Sequence, residues 1–240
     1  MKNIKNIILS LTFILISSGL ASTPGLNVIT INTDDAQRYA SWLQKAIPIF
    51  EEVWGDNVVA FGICSPISGA EKLGNNFVWS VAPSLAIGFA SANDVYEDPK
   101  AAREIQKIIR SRTVERRDSW GIIKNTERVY GAGETTAQYN FMSTPESVLG
   151  YVSAIEAMEA AAAENGFGDI QVAVFEAAGA GDRAGMVIAS VQAPNLQRLG
   201  AFLDERWSSW MAESMSTFPT LRTPEHEWVN VCTTLYSNNG

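Results

Sequence analysis

Histidine is almost absent from this chain of 240 residues, which holds one, His226. Cysteine is limited to Cys64 and Cys232. One imidazole and two distant thiols make no ligand cluster of usable spacing, so no metal site is expected. A Gly-x-Ser-x-Gly elbow is also missing, and nothing places the lone histidine beside a serine nucleophile. Gly179-Ala180-Gly181 follows an apolar run but lacks both the phosphate-loop lysine and the full dinucleotide fingerprint, so it reads as a hairpin turn. Basic residues are outnumbered, 18 against 26 acidic, for a net charge of −8. Such a chain repels phosphate backbones, and nucleic acid is not an expected partner.

What is present begins with a targeting pattern. Met1-Lys2-Asn3-Ile4-Lys5 is a short basic start, Ile7 to Ile16 is nearly all apolar, and Ser17 to Ala21 is small and polar. That order is a secretory signal, residues 1–21, with cleavage after Ala21. The apolar core is too short for a finished bilayer span, and no later run is long enough either. Without a cysteine at the cleavage point a lipid anchor is not expected. The predicted location is therefore periplasmic or secreted. A hydrophobic content of 46% excludes disorder for the rest.

One stretch occurs twice. Val81-Ala82-Pro83-Ser84-Leu85 and Gln192-Ala193-Pro194-Asn195-Leu196 each follow an apolar strand-like run and each open a helix-like segment. Ser84 and Asn195 are preferred N-caps, and the preceding prolines fix φ at the junction. The 111-residue offset also brings Thr33 onto Thr144, Gly55 onto Gly166 and Glu71 to Gly74 onto Asp182 to Gly185. These matches fall at helix starts, helix ends and turns. They predict a tandem repeat of one supersecondary unit, residues 24–130 and 131–240.

Within the first unit, residues 26–31 read as a strand, and Asn32 to Asp35 cap a helix whose apolar stripe runs to Trp54, with a kink expected at Pro48. Strands follow at 58–64 and 76–81, joined by a Ser-Gly-Asn-rich hairpin. A second helical region is interrupted near Pro99, and residues 119–123 read as the last strand. The second unit repeats this order. Its first strand is 137–142, Thr144-Pro145-Glu146 cap the next helix, and strands follow at 170–177 and 186–191. A helix then carries Leu196, Leu199, Leu203, Trp207 and Trp210, and Trp228 to Leu235 form the last strand. Trp228 matches Trp120.

A βαββαβ order with a central hairpin is the ferredoxin-like pattern, in which helices cover one face of an antiparallel sheet. Two copies could bury their bare faces against each other. The fold class expected is therefore α+β, two tandem ferredoxin-like βαββαβ repeats forming an intramolecular dimeric α+β barrel. The chain resembles the dimeric α+β barrel superfamily in single-chain form, a group that includes antibiotic-biosynthesis monooxygenases, stress-responsive barrel proteins and NIPSNAP-like proteins. The resemblance implies a monomer acting as an internal pseudo-dimer. It also implies that the second strand of one repeat lies beside the fourth of the other, which would put Cys64 next to Cys232 in a disulfide. Two free buried thiols are the plainer alternative.

The candidate site residues are aromatic. Seven tryptophans are present; Trp79, Trp120 and Trp228 fall on strands with Tyr139, and between sheet and helices they could line a pocket for an aromatic ligand. Ordinary core filling is the plainer reading of them. His226, flanked by Glu225 and Glu227, and Asn140 are the candidates for proton transfer, and His226 also reads as a solvated residue at the start of a strand. Haem enzymes of the resembled superfamily use a protein histidine; with one available, no cofactor is expected. The basic run from Arg103 to Arg117 reads as a solvated helix face or as an anion site. Two functions stay open: a non-catalytic barrel binding a small apolar or aromatic molecule or a protein partner, and a cofactor-independent monooxygenase-like enzyme with a Trp/Tyr-lined pocket.

Overall fold

A computed structural model describes residues 22–238. The signal at 1–21 lies outside them. Among the described residues no helix is long and apolar enough to cross a membrane.

Strand β1 (Gly25–Asn32) leads to helix α1 (Ala36–Trp54), capped by Asp35, whose carboxylate accepts from the Arg38 N–H at 2.9 Å. The helix runs through Pro48 as one element. Strands β2 (Ala60–Ser68) and β3 (Asn75–Ala82) form the expected hairpin. Ser84 then caps α2 (Leu85–Glu97), accepting from Ile87 N–H at 3.2 Å, and α3 (Pro99–Gln106) follows the break at Asp98. Strand β4 (Thr113–Lys124) starts six residues before its expected position.

That early start corrects the reading of the basic run. Arg116 and Arg117 lie on β4, Arg112 directly precedes it, Arg110 is in a single 3-10 turn, and Arg103 alone is on an α-helix. Charged side chains hid the strand because they break the apolar alternation that marks one.

In the second half, β5 (Thr135–Pro145) extends past its expected end, so Thr144 and Pro145 are strand residues and not a cap. Ser147 caps α4 (Val148–Ala162) instead, accepting from Gly150 N–H at 3.2 Å. Gly166, at φ +86°, turns the chain after it. Strands β6 (Gln171–Gly179) and β7 (Val187–Ala193) form the second hairpin. Asn195 caps α5 (Leu196–Asp204) through Arg198 N–H at 2.8 Å. The single helix expected next is broken after Asp204, and α6 (Ser209–Met215) carries Trp210. A short α7 (Phe218–Leu221) precedes the long β8 (Arg222–Ser237).

The eight strands close into one barrel in the order β1-β3-β2-β8-β5-β7-β6-β4, every pairing antiparallel. The first half contributes the run β4-β1-β3-β2 and the second the run β8-β5-β7-β6. Two seams join them, β2 to β8 and β4 to β6. Closure leaves no free edge for another chain to extend. At the first seam Cys64 and Cys232 lie directly opposite and are joined by a disulfide.

Three apolar clusters result. One packs α1 and α3 onto the outer face of the first half, with Ile31, Phe61 and Val78. A second packs α4 to α7 onto the other half, with Val172, Val187 and Val191. The third contains Trp120, Met142 and Ile188 with Leu26, Phe175 and Trp228. Its members come from strands of both halves, so it is the barrel interior.

Candidate functional site

Strand alternation sends every second side chain inward. An eight-stranded barrel has an interior just wide enough to be filled by side chains or to hold one small ligand. Here part of it is open: a cavity of ≈ 250 Å³ lies inside the barrel, walled by residues from all eight strands.

Trp79, Trp120 and Trp228 all line this lumen, whereas the sequence pattern placed their pocket between sheet and helices. Trp79 lies across from Gly62 on β2. A Cβ at Gly62 would collide with the Trp79 ring and the Thr233 carbonyl, so the glycine makes the room that the indole occupies. Trp120 is 1% exposed and pairs in register with Leu26. Trp228 lies across from Asn140 and within 6.1 Å of the Phe77 ring. The Cys64–Cys232 bridge is part of the same wall.

Four buried polar atoms in this wall have no protein partner: Trp79 Nε1, Trp228 Nε1, Asn140 Nδ2 and Asn230 Oδ1. Three are donors and one is an acceptor. Buried polar atoms are paired in nearly all folded proteins, by protein, water or ligand. The lumen wall is thus mostly apolar and carries three buried donors without a protein partner.

The two ends of the lumen differ. Near the end where β4 passes to β5, Asn125, Thr126, Arg128, Val129 and Tyr130 of the connection contribute to the wall. Toward the opposite end Asp118, 4% exposed, accepts from Arg116 Nε at 3.0 Å and Arg183 Nη1 at 3.2 Å. Arg116 also reaches Asp182 at 2.9 Å, and Arg183 reaches Glu71. Arg116 holds the Asp182 carboxyl below its usual range. Asp118 is the one carboxylate among the lining residues, and both guanidiniums occupy it.

The remaining sequence candidates are not gathered here. Tyr139 faces the helical layer of the second half, and its hydroxyl donates to Glu227 Oε2 at 2.6 Å. Burial, then that bond, raises its pKa strongly. His226 is half-buried and stacks on Trp228 at 5.4 Å, outside the residues that line the cavity. Asn230, Phe77 and Gly62 were not singled out from sequence. The available signal was alternation: Asn140 falls in one set with Thr136 and Gln138, and Asn230 in one with Trp228, Cys232 and Thr234.

A haem does not fit these residues. None of the three cavities is lined by a histidine, and both cysteines are tied in the disulfide, so neither an imidazole nor a thiolate is there to take an axial position. Among the described residues no group of His, Cys, Asp and Glu could hold a metal ion.

No family model matches the sequence, and no curated protein matches it. Solved structures do share the fold. A protein described as a putative monooxygenase from Fusobacterium nucleatum superposes with a TM-score of 0.60 at 11% identity, covering 91% of this chain and 96% of its own. A chlorite dismutase from Candidatus Nitrospira defluvii gives 0.52 at 10% identity, covering 89% and 92%. A haem-binding protein from Thermus thermophilus gives 0.51 at 8%, covering 87% and 90%. The chain thus shares its fold with these proteins.

Proposed function

We propose that this chain is an exported, non-catalytic barrel made of two tandem ferredoxin-like repeats, residues 24–130 and 131–240, and that its lumen binds a small aromatic molecule bearing a hydrogen-bond acceptor such as a carbonyl. The observation that carries this reading is the set of three unpartnered donors, two of them indole N–H groups, in a Trp-walled cavity of ≈ 250 Å³. The aromatic wall supplies apolar contact, and the donors orient one polar end. The two repeats act as an internal pseudo-dimer: each contributes a β4-β1-β3-β2-type run, and the halves share offset N-caps, Ser84 with Asn195 and Asp35 with Ser147. A buried Tyr on the first helix bonded by an Arg before or at the last strand also recurs, as Tyr39 with Arg112 and Tyr151 with Arg222.

The test is tryptophan fluorescence titration with 1-acetonaphthone and its carbonyl-free match, 1-ethylnaphthalene. The ketone binds more tightly, and Trp228→Phe or Asn140→Leu each weaken it about 2- to 10-fold, the worth of one hydrogen bond, without affecting the hydrocarbon. Equal affinity for the two probes refutes the donor argument. Absence of binding by both refutes the site.

Likeness of fold to the Fusobacterium protein favours a second reading, a cofactor-independent monooxygenase. Against it, the lumen's one carboxylate is ion-paired and His226 lies outside the wall, so no free base stands beside Asn140. Oxygen uptake with an electron-rich phenol, lost in Asn140→Leu, would restore it.

A further inference from the structure

The helical layer of the first half contains a second cavity, ≈ 170 Å³, between α1, α2 and the outer face of the sheet. Its wall includes Tyr39, Trp42, Phe50, Trp54 and Phe61, together with Ser91 and Arg112. In the second half larger side chains stand at the corresponding helix positions. Aligning the caps Ser84 and Asn195 sets Gly88 against Leu199 and Ser91 against Phe202. Leu199 and Phe202 are 1% and 3% exposed, and Phe202 packs on Phe167 at 5.5 Å and Trp210 at 6.4 Å. Gly88 and Ser91 are also buried. Gly88 lets α2 settle onto Asn27, whose Nδ2 donates to its carbonyl at 2.9 Å. Ser91 returns its hydroxyl to Ile87 O at 2.8 Å and leaves the volume of a phenyl ring empty.

Three residues of this wall carry a donor without a partner: Trp54 Nε1, on a residue 4% exposed, Arg112 Nε, and Trp79 Nε1, whose residue also lines the lumen. Arg112 donates to the Tyr39 hydroxyl through Nη1, and none of the ion pairs among the described residues includes it. Its counterpart Arg222 bonds Tyr151 in the same way, but there the rings of Phe141 and Phe218 cover the guanidinium at 3.7 and 4.8 Å. Arg112 has one such ring, Tyr39, at 5.5 Å. Two further charged residues line the cavity. Arg117 lies over the Tyr96 ring at 4.4 Å, and Asp118 spends its carboxylate on Arg116 and Arg183. The charge left unmatched is positive.

We infer that this cavity is a second binding site for a one-ring aromatic carboxylate, on the other side of a wall that it shares with the lumen at Val28, Trp79 and Asp118. Its volume is close to the ~150 Å³ of an apolar cavity known to accept benzene. The aromatic walls take the ring, and the Trp54 N–H and Arg112 guanidinium take the carboxylate as a charge-assisted pair of hydrogen bonds.

Calorimetric titration of the intact protein with benzoate, benzamide and benzylamine tests this. Benzoate binds at least tenfold more tightly than benzamide, and benzylamine does not bind. Ser91→Phe, which copies the second half, abolishes benzoate binding while leaving 1-acetonaphthone titration unchanged. Arg112→Met weakens benzoate at least tenfold and brings it level with benzamide. Should Ser91→Phe fail to fold, the indole N–H resonance of Trp54 in the unaltered protein reads the same site, shifting with benzoate and not with benzylamine. Equal binding of benzoate and benzylamine, no binding of benzoate, or undiminished binding in a folded Ser91→Phe protein overturns the inference. The lumen proposal fails or stands separately, on the naphthyl probes.

Discussion

Reducing the Cys64–Cys232 bridge is the perturbation whose size the structure sets most directly. The bond joins positions 168 residues apart and fastens one of the two seams that close the barrel. Opening it restores to the unfolded chain the freedom of a loop containing most of the described residues. In the chain-entropy picture a loop of that length corresponds to about 5 kcal/mol at 25 °C, and residual structure in the unfolded state makes this an upper figure. For a protein of this size each kcal/mol moves Tm by about 2–4 °C, so reduction should lower Tm by about 10–20 °C. The assay is differential scanning calorimetry with and without reductant, with mass spectrometry confirming a two-proton gain. Because both cysteines also wall the lumen, the reduced protein should bind 1-acetonaphthone less tightly. A Tm change below about 3 °C with full reduction confirmed would refute the reasoning. It would mean that the seam is held by its strand pairing alone.

Two further outcomes follow from named contacts. Gly62→Ala puts a methyl group into the Trp79 ring and the Thr233 carbonyl, so it should destabilise by about 1–3 kcal/mol, read from the urea midpoint. It should also change Trp fluorescence, and a silent substitution would remove Trp79 from its assigned place. Stability should also fall in alkali. Burial raises the pKa values of Tyr39, Tyr130 and Tyr139, so the native state holds these protons more tightly than the unfolded chain. Their stabilising contribution is complete below about pH 10, the unfolded value, and is lost as pH rises through the native values. Tyr139→Phe should therefore flatten the fall in urea midpoint between pH 9 and pH 11; an unchanged slope would show that Tyr139 titrates normally.

The fold was legible in sequence to the extent that its signals are local. Caps at Ser84, Asn195 and Asp35 are chemical statements about one turn of chain, and each was readable where it stands. Apolar alternation located the strands except where polar residues interrupt it. Hence the start of β4, with Arg116 and Arg117, was read as helix, and the end of β5 at Thr144-Pro145 was read as a cap. The disulfide came from a resemblance of topology, since nothing local to Cys64 or Cys232 relates them.

The candidate site was less legible, for a physical reason. A period of two says which residues share a face of a strand but not which face turns inward. Sequence thus grouped Trp79, Trp120 and Trp228 as strand tryptophans, yet only barrel closure put them in one lumen and left Tyr139 on the other side. The donors of Trp79, Trp228 and Asn140 become unpartnered only once all eight strands enclose them. The second cavity is a sharper case: Ser91 is an ordinary helix residue until the packed second half shows Phe202 in its place. By itself the sequence determined most of the element order and the caps at Asp35, Ser84 and Asn195, because those depend on neighbours along the chain. The tertiary structure alone decided which faces meet and what space remains between them, because volume and burial are properties of residues far apart in sequence.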